Sequence, residues 1–469
     1  MSSPAVVAAP APTPALRSAF RRSLDDRTPG ARAVSYGVLL LLWVVSIGGS
    51  IAQTLTMTRK QAAEGLQTVY TQAVIDAGHI AFLVPAVIAV LVIVFRVVHV
   101  RNDIAPLLLA ITPSAWIAFS EFARGNAVTE QVLLPIGVAV TLWAVQTRVG
   151  DLRLYALAAA ILATVSMALT TSAPALMYMP QSFDEATDKT VTGLPLLAGF
   201  FSHPNGAGLF FALALPLTSL FQRWYLRGAC AAVLLTAILW TSSRTALFGA
   251  GVWLAVMLLR PFVRRTLHRV LLVALVGLTV AVVALPLTTT DAEAFTERGA
   301  IWQFLLGRLN GQEWLFGLGH AWFSDNYPML KSALSSAASH GHNVFVTYAV
   351  TGGLVLVALL GLVVAHTARI ASRLPIERER VAAMAFLCVL VAVSITETAW
   401  RLEAPDTLFA AMAVPLFVIA TQSRPMASER RGSPDRPPVT RTHPGGNRQP
   451  AGDRPDDSSA SRRASAPLR

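Results

Sequence analysis

The chain has 469 residues, 54% hydrophobic and 14% charged, with a mean hydropathy of +0.55, a balance that excludes an ordinary soluble domain. Its formal charge of +12 invites a nucleic-acid reading, which the distribution of the charge excludes. Two stretches, 1–32 with five arginines against two aspartates and 424–469 with ten arginines against five acids, are Pro/Ser/Ala-rich and lack apolar periodicity. They are predicted to be disordered basic cytoplasmic tails (1–33 and 422–469) that favour anionic membrane lipid.

Between the tails, apolar runs of the length needed to cross a bilayer recur along residues 34–421. Taken in order, spans are predicted at 34–53, 77–98, 104–120, 131–147, 154–171, 206–221, 228–241, 245–259, 270–287, 343–366, 381–396 and 407–421. The two cysteines, Cys230 and Cys388, fall inside such runs, so neither a disulfide framework nor a thiolate metal site is suggested. The expected fold is all-α, a polytopic membrane protein of about twelve transmembrane helices. Short loops carrying Arg96/Arg101, Arg148/Arg153, Arg223/Arg227, Arg260/Arg264/Arg265 and Arg369/Arg373/Arg378/Arg380 alternate with loops richer in acids and aromatics. The positive-inside rule puts those arginines and both termini in the cytoplasm.

The outer side then receives the His203–Asn205 turn, the Arg244 turn, the large loop 288–342, and the segment with Glu397, Arg401, Glu403 and Asp406, whose charges are expected to pair with one another. Arg244 stands between two short helices in Thr-Ser-Ser-Arg, either snorkelling to the interface or clamping an anion. Arg298, Trp302, Trp314, Gly317, Gly319 and His320 fit an amphipathic helix on the outer surface. His340-Gly-His342-Asn343 ends the loop. A His-x-His pair is a metal candidate, yet no third ligand stands out at a fitting spacing; an imidazole there also suits a cap or a general base. His203-Pro-Asn205-Gly is the punctuation of a turn entering a helix. No Walker loop, dinucleotide fingerprint or Gly-x-Ser-x-Gly elbow occurs.

Phe201-Ser-His-Pro-Asn205-Gly, Thr241-Ser-Ser-Arg244, Arg298-x-x-x-Trp302, Gly317-Leu-Gly319 and His342-Asn343 with Gly352-Gly353, in that order, resemble the O-antigen ligase / O-antigen polymerase superfamily of bacterial membrane glycosyltransferases. The resemblance covers about Gly193 to Gly361. Two positions depart from the family pattern: Leu356 stands where Gly, Thr or Tyr is usual, and Trp302 where Leu is usual. The resemblance implies a metal-independent, cofactor-free transfer of a glycan from undecaprenyl diphosphate to an acceptor hydroxyl on a glycan, lipid or protein, at the outer face of the cytoplasmic membrane. His342 would be the catalytic base, with Arg244, Arg298, Asn343, His203 and Asn205 binding the donor. The alternatives are a transporter or flippase of a lipid-linked saccharide, for which internal repeats are wanting, and a peptidoglycan polymerase of the shape, elongation and division group, which lacks the late His-Asn.

Overall fold

The computed structural model describes residues 28–56, 87, 90, 91, 94, 103–179, 190–263, 266–334, 340–400, 402 and 406–422. Residues 1–27 and 423–469 of the expected tails, most of the expected 77–98 span, and Arg96, Arg101, Arg264, Arg265, Arg401 and Glu403 lie outside the described residues, while helix already begins at Pro29, inside the stretch expected as tail. The described chain is helical, and its one β contact is an isolated bridge between Tyr178 and Leu197. Among the described residues, six helices are long and apolar enough to cross a membrane. They are α1 (Pro29–Thr56), α2 (Ala105–Ala123), α4 (Arg153–Ser172, entered by one 3-10 turn), α6 (Trp224–Thr241), α8 (Leu267–Thr288) and α11 (Val344–Ser372). Between them lie shorter apolar helices, α3 (Glu130–Val145), α5 (Pro204–Ala214, continued as a 3-10 segment to Leu220), α7 (Arg244–Leu259) and α13 (Phe409–Ala420). The large loop folds as α9 (Ala294–Leu306), α10 (Gln312–Phe316) and further short turns; α12 is Glu377–Val393.

The helices α8 and α12 show the two environments an apolar helix finds here. In α8, Val270, Val273, Val276, Val280 and Leu287 form an exposed apolar stripe, the surface a hydrocarbon solvent would cover, while Leu271, Leu275, Val282 and Pro286 pack inward. In α12 every residue from Val381 to Val393 is buried, because α5, α7, α8, α11 and α13 surround it. Small residues permit the approach: a Cβ on Gly249 of α7 would stand 2.7 Å from Val393.

Polar groups mark the helix ends. One end of α7 carries Arg244 and the other Arg260; α11 begins beside Asn343 and closes near Arg369 and Arg373. Arg260 pairs with Glu377 at 3.1 Å, so the start of α12 lies at the arginine-rich end and its exit toward Glu397 at the opposite one. Ser243 and Asn343 cap α7 and α11 alike, each accepting a hydrogen bond from the amide three residues on, Ala246 at 3.4 Å and Val346 at 3.0 Å.

The loop is fastened to α11 at a break in that helix. Gly353 has φ 71° and ψ −175°, a region open essentially to glycine alone. A broken helix at membrane depth needs other partners for its backbone groups. Leu318 N–H donates to Val350 O at 2.6 Å, Gly319 N–H to Thr351 O at 3.2 Å, and Trp116 Nε1 to Gly352 O at 2.9 Å. The Gly317–Gly319 and Gly352–Gly353 pairs are therefore two sides of one backbone crossing. A Cβ at Gly353 would stand 2.1 Å from Leu315 O, so Gly353→Ala is expected to cost about 1–3 kcal/mol in dihedral strain alone and to lower the melting temperature in detergent. Gly361→Ala, lower in α11 with open space around it, should leave melting unchanged or raise it.

Candidate functional site

Three segments far apart in the chain meet at the polar end of the bundle. The first is the start of α9, where Phe295, Thr296 and Glu297 all take left-handed backbone angles just before Arg298. The second is His340-Gly-His342 at the mouth of α11, and the third is the turn after α12 that holds Glu397. Nη2 of Arg298 lies 2.5 Å from Glu397 Oε1, and Nδ1 of His342 lies 3.2 Å from Glu397 Oε2. One buried carboxylate thus bridges an arginine and a histidine. Burial by itself raises the Glu397 carboxyl. The adjacent His342, through charge and hydrogen bond, then Arg298 and His340, reverse this and hold it below the usual carboxylate range.

The bridging side chains are held from behind. Trp302, fully buried, donates Nε1–H to Gly341 O at 3.0 Å. Gly341 N–H donates to Thr347 Oγ1 at 3.0 Å, and Thr347 bonds Thr398 at 2.7 Å. On the other flank Thr396 bonds Thr245 at 2.8 Å, next to Arg244. Arg244 itself is exposed and donates to Thr296 Oγ1 at 3.3 Å, two residues from Arg298. Both arginines expected from the sequence therefore attach to the same turn, Arg244 in the open and Arg298 mostly enclosed.

The other candidates are placed differently. Asn343, expected among the donor contacts, is fully buried and commits its amide to the interior. Besides capping α11 it donates to Val282 O at 3.0 Å and Ile395 O at 2.9 Å, tying α8 and the Glu397 turn to the mouth of α11. His203 caps α5, its Nδ1 accepting Asn205 N–H at 3.1 Å, and Pro204 opens that helix. Neither His203 nor Asn205 has a hydrogen bond to Arg298 or His342 among those seen. Glu397 pairs with Arg298 and His342, Asp406 accepts Leu408 N–H at 2.8 Å at the start of α13, and the expected pairing with Arg401 and Glu403 falls on residues outside those described. Trp302 is core and takes no part in an interfacial belt, since the helix carrying it packs on α8 and α11.

Two features escaped the sequence. Glu397 is the third metal-competent group beside the His-x-His pair: one ligand atom each from His340, His342 and Glu397 lie within 4.8 Å of one another. Glu121 is a buried carboxylate inside α2 that accepts His320 N–H at 3.0 Å, while Arg124 donates to Phe316 O at 2.8 Å and Gly317 O at 2.9 Å. This cluster anchors the loop's glycine turn to α2. A glutamate at the end of an apolar run signals an interfacial position, but nothing local signals its partner 199 residues away.

Compared with protein-family models, with curated proteins and with solved structures, the chain matches none. The fold and site define an α-helical, membrane-embedded protein whose buried carboxylate joins an arginine to a histidine at one end of the bundle.

Proposed function

We propose that this protein is a membrane glycosyltransferase of the O-antigen ligase or polysaccharide polymerase type, moving a glycan from undecaprenyl diphosphate to an acceptor hydroxyl. The observation that carries the reading is the Arg298–Glu397–His342 chain, with Arg244 on the adjoining turn. In this proposal the chain crosses the cytoplasmic membrane about twelve times, the arginine-rich helix ends and both tails face the cytoplasm, and the His342 end faces outward.

The chemistry follows from the groups present. Glu397 accepts the Nδ1 proton of His342, which leaves Nε2 as the lone pair. Nε2 takes the proton of the acceptor hydroxyl as its oxygen bonds the anomeric carbon. The bond from that carbon to the diphosphate oxygen breaks, and undecaprenyl diphosphate leaves with the electron pair. Negative charge grows on the leaving diphosphate, where preorganised cations stabilise a transition state most effectively. Arg298 uses one nitrogen on Glu397, and its planar fork keeps further N–H donors for phosphate oxygen. Arg244, exposed beside it, is the second cation. The imidazolium gives its proton to solvent, and no nucleotide is consumed.

Purified protein given undecaprenyl-diphosphate oligosaccharides extracted from the native membrane is expected to transfer the glycan. The Arg244→Lys, Arg298→Lys double variant keeps both charges but loses the bidentate forks, and should fall by about 10²-fold or more. A fully active double variant would reject the clamp. Donor movement between leaflets of proteoliposomes, with no transfer, would support the transporter reading instead.

A further inference from the structure

We propose that His340, His342 and Glu397 form a binding site for a divalent transition-metal cation of the zinc type, and that its occupancy turns the transfer chemistry off. The binding half stands on geometry alone; the inhibitory half rests on the general-base reading above.

The sequence supplies two imidazoles with one residue between them, and the turn after α12 supplies the third ligand, 55 residues beyond His342. A tetrahedral zinc ion with bonds of about 2.0–2.1 Å spaces its ligand atoms roughly 3.3 Å apart. His342 Nδ1 and Glu397 Oε2 are already 3.2 Å apart, and the ligand atoms of all three residues lie within 4.8 Å.

The ring of His340 is brought near by an unusual backbone. His342 sits at φ 46°, in the left-handed region, and the two imidazole centroids are 4.2 Å apart. Gly341 leaves no room for another residue type, because a Cβ there would stand 2.9 Å from Val346 Cγ1 and 3.0 Å from Thr347 N.

The ligands also have the outer support that metal sites use. Arg298 holds Oε1 of the carboxylate and leaves Oε2 toward the histidines. Thr347 and Thr398 tie the His-Gly-His turn to the Glu397 turn. Two histidines and one glutamate, with a fourth position left for water, match the donor set of known open zinc sites.

The consequence for chemistry is a matter of tautomers. A metal at His342 Nδ1 takes the lone pair that only the other neutral tautomer offers there, so the ring's single proton moves by exchange through solvent from Nδ1 to Nε2. The neutral ring then carries its proton on Nε2, so no lone pair remains for the acceptor hydroxyl.

The test uses the metal-free full-length chain in detergent, titrated with Co²⁺ and then Zn²⁺. His340→Asn serves as the variant because an Asn side chain takes over the turn bond that His340 Nδ1 accepts from His342 N–H, at 3.1 Å, while removing the imidazole. One Co²⁺ per chain with the visible absorption of a four-coordinate ion is expected, displaced by Zn²⁺. Affinity should fall by at least about tenfold in His340→Asn. Stoichiometric Zn²⁺ should stop transfer by the unaltered protein, and chelator should restore it; His340→Asn should keep its own rate in the same Zn²⁺. Absence of the absorption band, or equal affinity in the variant, overturns the site. Tight binding with transfer unaffected overturns the switch. Loss of transfer on adding chelator alone overturns both the switch and the general-base reading, making the ion a cofactor.

Discussion

His342→Ala is expected to lower glycan transfer by about 10²–10⁴-fold, the usual worth of a positioned general base, with donor binding intact. The expectation comes from what His342 touches. Its Nδ1 faces Glu397 Oε2 at 3.2 Å, so a carboxylate orients the ring and stabilises the imidazolium formed on proton transfer. The arginines are untouched by the substitution, and the α11 cap belongs to Asn343, so the variant keeps the fold and the anion site. The measurement is a single turnover at saturating donor, in chelator, with donor affinity determined separately. His340→Ala should matter much less, because His340 meets the backbone N–H of His342 and has no place in the proton path. If His340→Ala is the dead variant, the base has been assigned to the wrong histidine. If His342→Ala loses donor binding and nothing else, the ring is a ligand contact and not a base.

Arg298→Ala is expected to cost about 3–5 kcal/mol of stability, as breaking a buried ion pair does, and to abolish transfer. Arg298 and Glu397 are 16% and 6% exposed at the side chain, so solvent cannot replace the lost partner. Arg298→Lys should recover much of the stability while transfer stays impaired, because charge suffices for pairing and phosphate recognition needs the fork. The pH dependence has a definite sign. Glu397 is lowered in the folded protein, so its contribution is fully present above the unfolded carboxylate value of about 4.3 and is lost as pH falls through the folded value. The variant loses one of the groups that lower it. The melting-temperature gap between the unaltered protein and Arg298→Ala should therefore be full at pH values above the unfolded carboxylate value of about 4.3 and narrow as pH falls below it. A gap that widens on acidification would show that Glu397 is not what the arginine stabilises.

Helix positions were largely legible from local composition. The runs read at 154–171, 245–259 and 270–287 became Arg153–Ser172, Arg244–Leu259 and Leu267–Thr288. An apolar run satisfies its own backbone by forming helix wherever water is excluded, so its existence and ends are local properties. Arg244, Arg298 and His342 were legible for a related reason, since polar residues flanking such runs are confined to the helix ends. Twelve crossings remain part of the proposed reading, with six helices among the described residues meeting the length and composition needed to span.

The depth of each helix in the bundle was not legible. Lipid tails and a protein core are equally apolar, so α12, enclosed from Val381 to Val393, and α8, with its exposed valine stripe, look alike as strings of letters. The same limit hid Trp302, whose aromatic character suits an interfacial belt as well as the fully buried site it occupies. Asn343, read through the resemblance as a donor contact, caps α11 and bonds α8 to the Glu397 turn, roles that the sequence reading did not contain.

What the sequence by itself determined is an all-helical, membrane-compatible chain with its polar groups at helix ends, because helix formation and hydropathy act over a few residues. What only the tertiary structure decided is the pairing of those groups. Glu397 joins His342 and Arg298, 55 and 99 residues away, partners that nothing local points to. A carboxylate enclosed by packing pairs with whichever cation the fold delivers, since leaving it unpaired out of water costs more than any preference for a neighbour. The crossing of Gly317 and Gly353 is likewise a tertiary contact, between segments over thirty residues apart, at backbone angles that favour glycine.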